Sequence, residues 1–149
     1  MKEIFLIDSS LPHKEQIKLI RKWVKENFIE PVYCPILKAF VEINPNGIEH
    51  SLKYNLSSKA GNFDELVSVV PLLDELISIA DNHRKEHDKK ERKQILCIHK
   101  IEAQTIINGK RQTLEIVIRE ILTDEKMQLK KHNFYNHKFV VDTIKKTPR

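Results

Sequence analysis

The spacing of apolar residues predicts an amphipathic helix close to the start of the chain. The apolar positions recur at intervals of three or four residues and so share one helical face: Ile17, Ile20, Val24 and Phe28. Pro12 suits the opening of a helix, and we therefore predict a helix from about His13 to Asn27. Trp23 lies beside the apolar face, which favours a core anchor over a platform for stacking nucleobases.

A second apolar stripe with helical spacing covers residues 63–80. Pro71 interrupts this stripe, so the helix either begins at Pro71 or bends there. Between the two helical regions, polarity alternates from Lys38 up to the turn-forming run Asn44-Pro45-Asn46-Gly47. Residues 48–54 then read as a returning strand or as the start of a short helix, and we interpret the whole segment as a hairpin.

Strand patterns dominate the second half of the chain. Residues 94–107 and 112–122 are joined across Asn108-Gly109, a dipeptide typical of hairpin turns with positive φ at both positions. Residues 134–141 can supply a further strand. Residues 83–93 contain no hydrophobic side chain and read as a solvated helix end or a mobile loop.

These elements predict one α+β domain over residues 1–149, with a basic C-terminal tail from about residue 142. We expect N-terminal helices to pack on one face of a twisted, mainly antiparallel β-sheet of about four to five strands. The other face of that sheet would then be open to a ligand. We expect the side chains on that open face to come from six residues: His50, Lys53, His99, Arg119, Tyr135 and His137.

Charge is concentrated at the C-terminal end. The net charge is +5, and residues 126–149 contain seven Lys and Arg residues against one Asp. A local positive field attracts polyanions, which makes RNA the expected partner, although a solvated basic tail without a partner explains the same charge. With neither a leader pattern nor an apolar run near 18 residues, we expect a cytoplasmic protein with no membrane partner.

Metal ligands are not indicated by the usual motifs. Cys34 and Cys97 are too few for a disulfide framework or a thiolate zinc site, and we interpret them as reduced core thiols. His83-Arg84-Lys85-Glu86-His87 matches a pattern of some zinc peptidases, but the lysines and arginine around it disfavour a dication. We therefore expect no metal and no cofactor.

Several segments together resemble a known family, the barnase-EndoU-colicin-RelE type of nuclease-like domain, over roughly residues 15–140. The resemblance is greatest to its phage and mobile-element branch, which includes the large polyvalent-protein-associated domains. It rests on short motifs along the chain: Asn46-Gly47-Ile48-Glu49-His50-Ser51-Leu52-Lys53, Val70-Pro71-Leu72-Leu73, Ile107-Asn108-Gly109-Lys110, Val117-Ile118-Arg119-Glu120 and Tyr135-Asn136-His137. The resemblance implies metal-independent RNA cleavage on an antiparallel sheet backed by N-terminal helices.

Such cleavage requires a base for the 2′-hydroxyl, a cation for the charged phosphorane and an acid for the leaving oxygen. On this hypothesis His50 and His137 share proton transfer, while Arg119 and Lys53 stabilise the phosphate charge. Tyr135 would orient or stack on the substrate, and His99 is a reserve acid or base. Each has a structural alternative: Arg119 can pair with a carboxylate, His99 can be a hydrogen-bonded sheet residue and Tyr135 can pack at a rim.

Three classes of function therefore stay open. The first is a toxin-like or mobile-element endoribonuclease, for which an acidic inhibitor protein is a plausible partner. The second is a non-catalytic nucleic-acid-binding module on the same basic surface, which predicts salt-dependent binding without cleavage. The third is a protein-interaction domain, which predicts an exposed apolar patch and scattered histidines. We lean towards the enzyme.

Overall fold

In the computed structural model, helices and one face of a mixed sheet enclose a common core. The structure describes residues 2–57, 62–91, 94–129 and 132–147, with the side chains of residues 123–137 outside the description. The helices within these residues are α1 (His13–Asn27), α2 (Pro45–Leu56), α3 (Phe63–Val69) and α4 (Leu73–Ile79). The strands are β1 (Val32–Cys34), β2 (Ala39–Glu42), β3 (Asp81–Glu86), β4 (Ile95–Ile107), β5 (Lys110–Leu129) and β6 (His132–Lys146). The predicted α+β class, with helices packed on a mainly antiparallel sheet, is confirmed.

Both predicted helical regions form, and the first has the predicted bounds. Trp23 lies in the core, in edge-to-face contact with Phe5 and Phe28, which confirms its assignment as an anchor. The second region bends at Pro71, where one 3-10 turn (Val70–Leu72) separates α3 from α4. The bend follows from proline chemistry, because its ring and missing N–H prevent a continuous α-helix.

The six described strands have the order β1-β2-β6-β5-β4-β3, one more strand than the upper bound that we expected. All neighbours are antiparallel except β2 and β6. The β4–β5 turn has φ of 52° at Asn108 and 77° at Gly109, as the hairpin prediction requires. On the central strand β5, Leu114, Ile116 and Ile118 are buried in the core shared with the helices. The residues between them therefore face the other side of the sheet.

The predicted hairpin after Lys38 is wrong, because residues 45–56 form a helix. The alternative of a short helix over residues 48–54 is confirmed. Asn44 caps this helix by accepting a hydrogen bond from the Gly47 N–H (2.8 Å), and Pro45 occupies the first turn. A Pro-Asn-Gly run is common both in turns and at the start of a helix, so its composition does not distinguish the two. His50 and Lys53 consequently lie on α2, not on a strand.

Helix α2 takes the place of a strand along β6, beyond the point where β2 ends. Ser51 Oγ accepts a hydrogen bond from the Ile144 N–H (3.0 Å), and Asn55 Nδ2 donates to the Ile144 carbonyl (2.9 Å). Gly47 permits this close approach, since a Cβ atom there would lie 2.1 Å from the Val141 carbonyl oxygen. The edge of β6 is thereby hydrogen-bonded without another strand.

Two further expectations need correction. Residues 81–86 form the edge strand β3, so the polar run beginning at His83 is neither a helix end nor, over those residues, a loop. An edge strand needs few apolar residues because one side of it meets solvent. The C-terminal segment remains in β6 up to Lys146, with Ile144 fully buried, so the expected tail does not begin at residue 142. Among the described helices, none has the length and apolar character needed to cross a membrane.

Candidate functional site

A groove of about 450 Å³ lies on the face of the sheet opposite the core. One wall is the first half of α2, and another consists of residues 86–90, at the end of β3 and just beyond it. Its floor consists of residues that alternate with core positions on β4 and β5. The lining comprises Asn46, Gly47, His50, Glu86, His87, Asp88, Lys89, Lys90, Ile98, Lys100, Val117, Arg119 and Asp142.

A β-bulge brings Asp142 beside Arg119 at the groove floor. Val117 pairs with Thr143 and Ile118 with Val141, so Asp142 is the extra residue on β6. Its Oδ1 atom lies 3.2 Å from Arg119 Nε, an ion-pair distance, although the N–H is not aligned for a hydrogen bond. Thr143 Oγ1 donates to Asp142 Oδ2 (2.8 Å) and so fixes the carboxylate. The bulge thus places a positioned carboxylate that the strand pattern could not predict.

His50 reaches the same carboxylate from α2. Its Nδ1 atom is 3.0 Å from the Asp142 carbonyl oxygen and 4.0 Å from Asp142 Oδ1. Because a carbonyl oxygen only accepts, Nδ1 carries the proton in this contact. The lone pair of the neutral ring is then on Nε2, the form that a general base requires. His50, Arg119 and Asp142 therefore meet across three different elements.

Further charged groups lie on the rim of the groove. Lys100 Nζ is 2.9 Å from Glu86 Oε2, and this contact lowers the pKa of the Glu86 carboxyl. His87 adds a second imidazole, which the sequence analysis had set aside with its peptidase-like motif. Four Lys and Arg residues and three carboxylates line the groove, so its charge is close to balanced before the histidines are counted.

The six residues predicted from sequence do not all converge. His50 and Arg119 line the groove, whereas Lys53 pairs with Glu49 on the exposed side of α2 (3.2 Å). His99 was expected on the open face, but it points to the helix side. It lies two residues from Ile101 on β4, and residues two apart on a strand share a face, here the face that contains the core. The side chains of Tyr135 and His137 lie outside the described residues.

On the helix side of the same strands, three side chains form what we call the buried cluster: Cys97, His99 and Glu120. Cys97 Sγ lies 3.1 Å from His99 Nε2 and 3.2 Å from Glu120 Oε1, and the last two atoms are 2.8 Å apart. A register irregularity at the start of β4 places Cys97 directly opposite Glu120 on β5. Sequence reasoning missed the cluster, although a Cys-x-His pair on one strand was a signal for it.

Burial controls protonation within and beside the buried cluster. Desolvation, together with the neighbouring Glu120 carboxylate, raises the pKa of the Cys97 thiol to about 11. The thiol is therefore protonated at neutral pH and a poor nucleophile when no cation is nearby. His83 Nε2 lies 2.8 Å from His99 Nδ1, and desolvation, with smaller contributions from His99 and Lys85, lowers the His83 pKa.

A family model matches most of the chain. The model for large polyvalent protein-associated domain 3 matches residues 13–135. The chain belongs to this family. No curated protein and no solved structure matches the chain.

Membership of this polyvalent-protein-associated family supports the phage and mobile-element branch of the resemblance. The matched residues of the family domain include His50 and Arg119 of the groove and all three members of the buried cluster. Asp142 lies beyond the matched region, on the part of β6 that closes the groove.

Proposed function

We propose that this polyvalent-protein-associated domain is a metal-independent endoribonuclease whose active site is the groove. One observation carries the proposal: an imidazole, a guanidinium and a carboxylate, from His50, Arg119 and Asp142, meet at the floor of a solvent-open groove. The nuclease-like resemblance stated above adds support, because it implies this reaction on this kind of sheet.

His50 acts as the general base. The Asp142 carbonyl accepts from Nδ1, so the neutral ring offers Nε2 to the 2′-hydroxyl of a bound nucleotide. The deprotonated 2′-oxygen attacks the adjacent phosphorus, and its proton moves to Nε2. The Asp142 Oδ1 atom lies 4.0 Å from Nδ1 of the ring that takes up this proton.

Arg119 stabilises the charge that develops on the phosphorane oxygens, and Asp142 holds its guanidinium in place. The bond from phosphorus to the 5′-oxygen then breaks. That oxygen takes a proton from an imidazolium acid, for which His87 at the groove and His137 from the sequence analysis are the candidates. The products are a 2′,3′-cyclic phosphate end and a 5′-hydroxyl end, so every proton is accounted for.

The test is incubation of the full chain with a labelled RNA, with chelator present. We expect cleavage that yields 2′,3′-cyclic phosphate ends and that is lost when the RNA carries 2′-deoxynucleotides. His50→Ala and Arg119→Ala should each lower the rate by at least about 100-fold. His13→Ala and Lys22→Ala, which change exposed residues of α1 outside the groove, are the matched controls.

His87→Ala and His137→Ala separate the two candidate acids. The variant that lacks the true acid should lose the decline of rate on the alkaline side of the pH profile, because that decline reports deprotonation of the acid. Intact RNA that is still bound in a salt-sensitive manner would reject the enzyme and favour the nucleic-acid-binding module. Neither cleavage nor binding would favour the protein-interaction domain.

A further inference from the structure

The buried cluster has the composition and convergence of a metal site. Its three ligand atoms are a thiol sulfur, an imidazole nitrogen and a carboxylate oxygen, and all lie within 4.8 Å of one another. We propose that Cys97, His99 and Glu120 bind a divalent transition-metal ion, with Zn²⁺ the best match to this mixed ligand set. The site is distinct from the groove and goes beyond the proposed function, which uses no metal.

The distances between the ligand atoms suit a small ion. A tetrahedral zinc with bonds of about 2.1–2.3 Å separates its ligand atoms by about 3.4–3.6 Å. The observed separations are 3.1 Å, 3.2 Å and 2.8 Å. Each pair therefore needs to open by roughly half an ångström, which small side-chain rotations supply.

A hydrogen-bonded catalytic relay does not explain the cluster. In a nucleophile–histidine–carboxylate relay, the two partners contact different ring nitrogens of the histidine. Here Cys97 Sγ and Glu120 Oε1 both approach Nε2 of His99. An ionised carboxylate brings no proton, the thiol one and the imidazole Nε2 at most one, so the triangle holds at most two protons for its three contacts. A cation at its centre satisfies all three atoms together.

His99 is held in place through its second ring nitrogen, as is usual for a histidine that binds a metal. His99 Nδ1 lies 2.8 Å from His83 Nε2, so the ring can donate to His83 while Nε2 binds the metal. The ring of His83 stacks on the ring of His99. His83 lies at a register irregularity of β3, directly after Asn82, whose φ is 51°. The ring of Phe139 also packs against the ring of His99, with their centroids 5.3 Å apart, and helps exclude water. His83 is thus a positioning residue and not a ligand.

The bound ion would join neighbouring strands. Cys97 and His99 belong to β4 and Glu120 to β5, while His83 adds the edge strand β3 through its contact with His99. With side-chain exposures of 6% for His99 and 15% for Glu120, the site is shielded from solvent. Burial favours a structural role, and three protein ligands leave one tetrahedral position of the ion for a water molecule.

The test is a titration of the reduced, metal-free full chain with Co²⁺, which reports thiolate ligation through a sulfur-to-cobalt charge-transfer band. We expect one equivalent to bind and Zn²⁺ to displace it. Cys97→Ser should remove the band, and Glu120→Gln and His99→Gln should each weaken binding at least tenfold. His83→Gln should weaken binding about 10- to 100-fold while the band keeps its shape.

Cys34→Ala is the matched control, because it removes the other buried cysteine and should leave the band unchanged. Circular dichroism on each variant separates lost ligation from lost folding. The proposal is overturned if the folded wild-type chain gives no charge-transfer band, or if the band survives in Cys97→Ser. Since no RNA is present, failure here leaves the proposed nuclease untouched, and absent RNA cleavage leaves the metal site untouched.

Discussion

Two clusters of polar side chains lie on opposite faces of the sheet, and both include a residue of β5. In the groove, Arg119 is paired with Asp142, both side chains are partly exposed, and His50 reaches the same carboxylate from α2. One residue further along β5, Glu120 points into the buried cluster and approaches a thiol and an imidazole. Adjacent positions on one strand therefore take part in two unrelated arrangements.

Solvent makes the difference between the two. An exposed ion pair contributes little to stability, so the charged groups of the groove remain available to a ligand. In the buried cluster a thiol, an imidazole and a carboxylate converge and are largely shielded from solvent, an arrangement that suits a bound metal ion. The groove is thus suited to transient binding and the buried cluster to a permanent ion.

The largest expected effect comes from breaking the wall of the groove while leaving the buried cluster intact. Gly47→Ala should lower the free energy of unfolding by about 3 kcal/mol, because the new Cβ would overlap the Val141 carbonyl. Helix propensity alone predicts the opposite sign, a gain of about 1 kcal/mol. Urea denaturation measures the change.

Lys53→Ala is the control for Gly47→Ala, since Lys53 is exposed on the same helix and should change stability by less than about 0.5 kcal/mol. Wild-type stability in Gly47→Ala would mean that α2 does not approach β6 as closely as described.

The second prediction separates the two faces by their response to zinc. At a free Zn²⁺ concentration of 100 times Kd, wild-type stability should rise by about 2.7 kcal/mol. His99→Gln should lose at least about half of this gain, as a tenfold or greater loss of affinity requires. His50→Gln should show all of the gain, because His50 lies on the other face. Thermal melts with and without zinc measure both. An equal gain in the two variants would place the bound zinc elsewhere.

Sequence periodicity was sufficient for the elements but not for the sites. Helix α1 and the β4–β5 hairpin follow from local spacing and turn chemistry, which nearby residues determine. The residues that meet in the groove are far apart in sequence, and Asp142 enters it only because a β-bulge shifts the register of β6. No local pattern indicates the position of such a bulge.

The expectation of no metal rested on the cysteine count and on the basic residues around the His83–His87 motif. A mixed ligand set needs only one thiolate, and its remaining members are 2 and 23 residues from Cys97 in sequence. Glu120 joins them because a register irregularity in β4 sets it opposite Cys97. On α2, a stripe of small or polar residues spaced by four is visible in the sequence: Gly47, Ser51 and Asn55. Its role is to contact the edge of β6 beyond β2, which the sequence alone does not reveal.

The third prediction concerns Ser51, which holds α2, a wall of the groove, against β6 and has no contact with the buried cluster. Ser51→Ala leaves the buried Ile144 N–H without its acceptor and should lower the free energy of unfolding by about 1–2 kcal/mol. Ser68→Ala is the control. Ser51 and Ser68 each donate a hydrogen bond to a carbonyl within their own helix, but Ser68 is exposed. Zinc affinity should be the same in both variants. Reduced zinc affinity in Ser51→Ala alone would show that the two faces are coupled.

The smallest effect concerns RNA binding by the groove. Arg119→Ala removes one phosphate contact, so the slope of log affinity against log salt should fall by about 0.7 for single-stranded RNA. His99→Gln should leave the slope unchanged, because His99 is buried on the opposite face. Lys22→Ala, an exposed cation on α1, controls for the loss of charge as such. Fluorescence anisotropy with 2′-deoxy-substituted RNA measures binding without cleavage. An unchanged slope in Arg119→Ala, or the same decrease in Lys22→Ala, would mean that RNA does not bind through the groove.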